Sequence, residues 1–169
     1  ISHPVYLAFI CGVLISILGY ASNGLTFGTG YHEAKHLIDG GEATAGFPFL
    51  KLLATVASYL SGIPGGIFAP SLSVGAGFGA NLAEYMPYLP ATSLVILGMV
   101  GYFTGVVQTP ITAFVIVMEM TTNSSLILPL MATALIAKGV SKLVCPTPIY
   151  QALSEVYLSR TESVSTHKT

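Results

Sequence analysis

Charge is what this 169-residue chain has least of: 8% of its residues are Asp, Glu, Lys or Arg, against about 25% in an ordinary soluble domain. The deficit is uneven. None of the four occurs in residues 52–83, nor again in residues 85–118. With 53% hydrophobic residues and a mean hydropathy of +0.76, those charge-free runs read as intramembrane segments of an integral membrane protein. A formal net charge of -1 gives no reason to expect a nucleic acid or other polyanionic partner. Cysteine is equally sparse. Cys11 lies in one apolar run and Cys145 near the end of another, an arrangement that does not suggest a structural disulfide. The chain holds a single aspartate, Asp39, which excludes the paired aspartates of an intramembrane aspartyl protease. Its apolar runs hold no histidine, so a serine such as Ser61 has no base with which to form a serine protease site.

An initiator methionine, a basic leading region and a small-residue cleavage site are also lacking. The chain opens Ile1-Ser2-His3-Pro4 and enters an apolar run almost at once, which suggests a piece of a longer polypeptide. Glycine and proline then punctuate the sequence. Apolar segments are expected at residues 5–20, 47–60, 67–84, 93–107, 111–120 and 126–144. A polar, glycine-bounded stretch at residues 28–41, a short amphipathic run at 151–160 and a polar, disordered tail at 161–169 complete the chain. An upright helix needs about 20 residues to cross the hydrocarbon, and several segments fall short. Broken, tilted half-helices meeting inside the membrane would fit. Irregular backbone at that depth is tolerated only where it is buried in protein or lines a polar cavity, which points to a transport pathway.

The polar stretch contains His32-Glu33-Ala34-Lys35-His36, which fits the H-E-x-x-H pattern of zinc hydrolases. Zinc chemistry would need the two histidines one helical turn apart, Glu33 as general base and a third ligand elsewhere. Glycines flank the stretch on both sides, His3 and His167 lie in the terminal polar regions, and Asp39 is too close in sequence to serve comfortably. The expectation is a short surface helix carrying solvated charge, with no metal site and no enzyme activity. A zinc-dependent membrane protease is the reading it displaces.

More informative is Ser61-Gly62-Ile63-Pro64-Gly65-Gly66-Ile67-Phe68-Ala69-Pro70. Glycine permits backbone conformations that other residues resist, Pro64 enforces an extended or turned entry, and Pro70 is tolerable only in a helix's first turn. A helix is therefore expected to start between Gly66 and Phe68, inside the membrane. Its free N–H groups and partial positive charge suit an anion. Partial charges also suit conduction, because a full opposite charge in low dielectric would tend to hold the ion. On physics alone, an equally good reading is that Gly and Pro merely shape a tight interhelical bend.

Together with Ser71-Leu72-Ser73-Val74-Gly75-Ala76-Gly77, this motif resembles the second-half signature of the CLC family of chloride channels and chloride/proton antiporters. Further matches follow in order: Gly105-Val106-Val107-Gln108-Thr109-Pro110-Ile111-Thr112, Val117-Met118-Glu119-Met120-Thr121, Leu126-Ile127-Leu128-Pro129 and Pro148-Ile149-Tyr150. The resemblance implies an all-α polytopic membrane protein, with residues 1–160 as the C-terminal half of an inverted-repeat CLC-type membrane domain. It implies transport of chloride or a similar small anion, held by the backbone N–H groups of Ile67 and Phe68 and by the Tyr150 hydroxyl, with Gly65, Gly66 and Pro70 shaping the loop. A phenol donates one hydrogen bond without a formal charge; otherwise Tyr150 is an interfacial belt tyrosine.

Chloride would be a bound ligand and no cofactor is expected. The expected partners are chloride, protons in the antiporter case, the lipid bilayer, the N-terminal half of the same protein, and a second copy in a homodimer whose interface includes residues 126–144. A secondary transporter of another small anion is the alternative within transport. Glu119 is a candidate proton relay as an intramembrane acid, although it does not match the family's gating or proton-transfer glutamates. Gly75 with Gly79, and Gly101 with Gly105, have the spacing that permits close helix packing. Lys138, Lys142 and Arg160 suggest a cytoplasmic C-terminal end of a multi-pass plasma-membrane protein.

Overall fold

The computed structural model describes residues 4–42, 44–62, 65–121 and 124–154. Among these residues the secondary structure is helical throughout, without a strand. Seven α-helices follow one another: α1 (Pro4–Ala21), α2 (Tyr31–Ile38), α3 (Phe47–Leu60), α4 (Phe68–Tyr85), α5 (Ala91–Val107), α6 (Pro110–Thr121) and α7 (Ile127–Val144). A 3-10 turn (Ser124–Leu126) leads into α7, and residues 149–154 begin a further helical segment. The expected polar tail, and residues 155–160 of the expected amphipathic run, lie outside the described residues.

Proline and left-handed backbone set the boundaries. Pro48 stands in the first turn of α3, Pro110 opens α6, and Pro90 takes an extended conformation just before α5. Each sits where its missing N–H costs no helical hydrogen bond. Pro90 starts α5 two residues earlier than the apolar run indicated. At the other ends, Gly62 (φ 75°) follows α3 and Gln108 (φ 58°) closes α5. The lengths match the expectation of broken helices. At 1.5 Å per residue, the 12 residues of α6 reach about 18 Å, against about 30 Å of hydrocarbon. Among the described residues, α7 is the one helix both long and apolar enough to cross alone.

The core forms where α4 crosses α5. Val74 and Ala76 of α4 and Val95, Ile96, Met99 and Val100 of α5 are almost wholly buried, and the two backbones touch at three glycines. A Cβ on Gly75 would lie 2.5 Å from the Gly98 carbonyl oxygen, and one on Gly79 would meet the backbone at Leu94 and Val95. The Gly75/Gly79 pair is thus a contact surface whose counterpart is Gly98. The second pair differs from expectation. Gly101 faces only the Thr133 methyl at 3.3 Å, and Gly105 has nothing within 4 Å, because the α5 face carrying them packs on α7 through side chains.

The surface helix expected around residues 32–36 is α2. It buries Ala34 and Leu37 and exposes His32, Lys35 and His36. The outer faces of α1 and α7 are apolar and exposed, with Val5, Phe9, Leu128 and Ile136 more than half accessible, as suits helices bordered by lipid or by further protein. Cys11 is buried, Cys145 is exposed, and both are free thiols.

Candidate anion site at the start of α4

The described approach to α4, at Gly65 and Gly66, is irregular and exposed backbone. After Gly62, Gly65 and Gly66 run without helical structure, Ile67 caps the helix (φ −87°, ψ −21°), and Phe68 is its first residue. The expected start between Gly66 and Phe68 is where the helix begins. No side chain caps it. The first ladder bond runs from the Ser71 N–H to the Ile67 carbonyl at 3.0 Å, so the N–H groups of Ile67, Phe68 and Ala69 precede the ladder. Pro70, third in the helix, has no N–H to leave idle. Donors and the positive end of the helix dipole therefore gather at the first turn, where a partly buried negative charge is stabilised by up to about 2 kcal/mol.

That start opens on a cavity of about 270 Å³. Gly65, Gly66, Ile67 and Pro70 line one side, and Thr26, Gly28, Lys51 and Thr55 face them. Lys51 is the residue that sequence reasoning passed over. It lies in the middle of apolar α3 and is only 2% exposed. Its ammonium donates to the Thr26 carbonyl at 2.9 Å and to the Gly28 carbonyl at 2.8 Å. These carbonyls take two of the ammonium's three protons and carry no formal charge, so the positive charge of the lysine is set into the cavity wall and its third proton is left for another acceptor. Thr26 is fixed in turn by Ser22, whose hydroxyl lies 3.0 Å from the Thr26 hydroxyl and accepts from its N–H at 3.2 Å. Gly30 (φ 78°) lets the α1–α2 connection close over this lysine, because a Cβ there would run into the Ser73 hydroxyl and the Lys51 Cε. The available signal was a lone lysine between Leu50 and Leu52, a position where an apolar residue was due.

Phe68 turns its ring away from this cavity. It meets Phe103 of α5 edge-on at 5.0 Å, which anchors the first turn of α4 on the core, and it lines a second cavity with Lys35, Asp39 and Met120. Tyr150 stands apart: it lies in the first turn of the final helical segment, is 52% exposed, and lines neither cavity. Glu119 is exposed near the end of α6. Among the described residues, His, Cys, Asp and Glu form no group of three or more able to hold a metal ion.

Residues 1–142 match the family model described as voltage gated chloride channel. The chain is 36% identical over 118 residues to the H(+)/Cl(-) exchange transporter ClcA of Yersinia pestis, covering 66% of this chain and 25% of the relative. It is 36% identical over 119 residues to that of Cronobacter sakazakii, covering 67% and 26%. With ClcA of Vibrio campbellii the identity is 41% over 109 residues, covering 61% and 23%. The chain thus spans about a quarter of the length of the curated relatives it matches. An all-helical membrane fold with shortened helices, a glycine-built helix start facing a cavity, and a family match over most of the length lead to one conclusion: the chain belongs to the voltage-gated chloride channel family.

Proposed function

We propose that this chain forms one half of an anion pathway and carries chloride, or a similar small anion, across the membrane in concert with an N-terminal half of the same protein. The observation that carries this reading is the uncapped start of α4, which faces a cavity whose opposite wall holds the buried Lys51 ammonium. The Ile67 and Phe68 N–H groups hold the anion, and Gly65, Gly66 and Pro70 shape the turn that presents them. Lys51 departs from the expectation of partial charges alone: it stands in the cavity wall across from the helix start, where it raises the local anion concentration while the N–H groups act as the direct ligands. Tyr150, beyond the matched residues 1–142, supplies a hydroxyl from the last helical segment. The relatives are named H(+)/Cl(-) exchange transporters, which favours proton-coupled exchange over a plain channel.

A homodimer formed through α7, with a cytoplasmic C-terminal end, completes the reading. It is supported by the exposed apolar face of α7 and by Lys142 in its last turn. The test is chloride efflux from liposomes containing the full-length protein, with and without an imposed proton gradient. Chloride flux that a proton gradient drives uphill is the expected result. Absence of chloride flux from a folded, reconstituted protein would refute the anion pathway, and flux indifferent to the gradient would leave a channel.

A further inference from the structure

The motif containing Gln108 has no part in the cavity at α4, yet its side-chain nitrogen bridges α5 to the end of α7, while its side-chain oxygen is buried without a hydrogen-bond partner among the described residues. Gln108 closes α5 in the left-handed region (φ 58°, ψ 22°), a conformation that residues other than glycine seldom adopt. Its N–H donates to the Thr104 carbonyl at 2.7 Å, and it is 6% exposed. Both protons of its carboxamide are used. One goes to the Ser141 hydroxyl at 3.1 Å and the other to the Cys145 carbonyl at 2.7 Å, while the Ser141 hydroxyl donates to the Gly105 carbonyl at 2.5 Å. A carbonyl acceptor at Cys145 also settles which way the amide points, since only the nitrogen can donate.

Cys145 is where the chain leaves α7. Its N–H makes the last bond of that helix, to the Ser141 carbonyl at 2.8 Å, its backbone is already extended (φ −143°, ψ 107°), and Gln108 holds its carbonyl. Both peptide groups of the exit residue are therefore fixed. From there to Tyr150 the chain has little freedom. Pro146 and Pro148 lock their own φ angles, and each restricts the residue before it, Cys145 and Thr147, to extended conformations. The Pro148 carbonyl then accepts from the Gln151 and Ala152 N–H groups at 3.0 and 3.1 Å, which places Tyr150 in the first helical turn.

We propose that Gln108 is a positioning residue for Tyr150: it fixes the exit from α7, and the stiff Pro146-Thr147-Pro148 passage carries that position to the phenol. The proposal rests on the reading of Tyr150 as an anion ligand. It assigns Gln108 a role distinct from joining α5 to α7, which Ser141 shares.

The test measures chloride binding to the purified full-length protein by titration calorimetry in four variants: Tyr150→Phe, Gln108→Met, the double variant, and Ser141→Ala. Tyr150→Phe is expected to weaken chloride binding about 10- to 150-fold, the loss of one hydrogen bond to a charged acceptor. Gln108→Met is expected to weaken it about as much alone and to add nothing in the Tyr150→Phe background. Ser141→Ala, which leaves the Gln108–Cys145 bond in place, is expected to lower thermal stability without changing chloride affinity. An unchanged affinity in Gln108→Met, or a loss that persists in full beside Tyr150→Phe, overturns the positioning role and leaves Tyr150 a ligand. No effect of Tyr150→Phe alone overturns the ligand reading itself, and this proposal with it. Should Gln108→Met not fold, Pro146→Gly loosens the same passage without touching α5 and is expected to show the same dependence on Tyr150; unchanged affinity there refutes the transmission.

Discussion

Replacing Gly79 by alanine tests whether the α4–α5 crossing fixes the position of the anion site. The new Cβ would lie against the Leu94 carbonyl and 2.7 Å from the Val95 Cα, and neither neighbour is a side chain that can swing aside. Ordinary carbon contacts need about 3.5 Å or more, so the helices must part by nearly 1 Å. A gap of that size forfeits roughly a quarter to a half of each contact across the seam. Overpacking of this kind costs about 1–3 kcal/mol, which outweighs the roughly 1 kcal/mol that alanine gains over glycine as a helix former. Gly105→Ala is the control. It lies in α5 with nothing within 4 Å of its Cβ, so only the propensity gain remains and the sign reverses. Thermal unfolding of the full-length protein in detergent should show Gly79→Ala less stable and Gly105→Ala at least as stable as the parent. Because the first turn of α4 moves with the rest of the helix, chloride flux should fall in the first variant only. A Gly79→Ala protein as stable and as active as the parent would refute the reasoning.

Lys51→Met leaves the Thr26 and Gly28 carbonyls without their donor and should destabilise the protein by about 3 kcal/mol, measured by thermal unfolding. Lys51→Gln keeps a donor but removes the charge; its expected mark is weaker chloride binding by calorimetry, larger than any loss in Lys51→Arg. Gly30→Ala forces a side chain into a left-handed position and against Ser73 and Lys51, and should cost more than about 1 kcal/mol. Metal analysis of the purified protein should find no stoichiometric zinc, and His32→Ala should leave chloride flux unchanged; zinc at one equivalent per chain would restore the hydrolase reading.

What the sequence could reveal divides along the range of the interactions involved. Helix existence is a local matter of apolar runs and their Gly/Pro punctuation, and α3 runs over residues 47–60 as expected. The start of α4 was equally legible, because Pro70 and the paired glycines restrict the backbone in a way that needs no partner. Gly75 and Gly101 carry the same i, i+4 spacing, yet only the first pair meets another backbone. Spacing places two glycines on one face without saying what that face meets. Lys51 was hidden for a related reason. Its acceptors, at Thr26 and Gly28, are main-chain carbonyls 25 and 23 residues away, so no side-chain complement marks them in the sequence. Gln108 was hidden by distance as well: its acceptors, the Ser141 hydroxyl and the Cys145 carbonyl, lie 33 and 37 positions on. In an apolar fold with so few charges, polar side chains find most of their partners in the backbone. The side chains that organise the site are therefore those whose complements a reading of side-chain patterns cannot see.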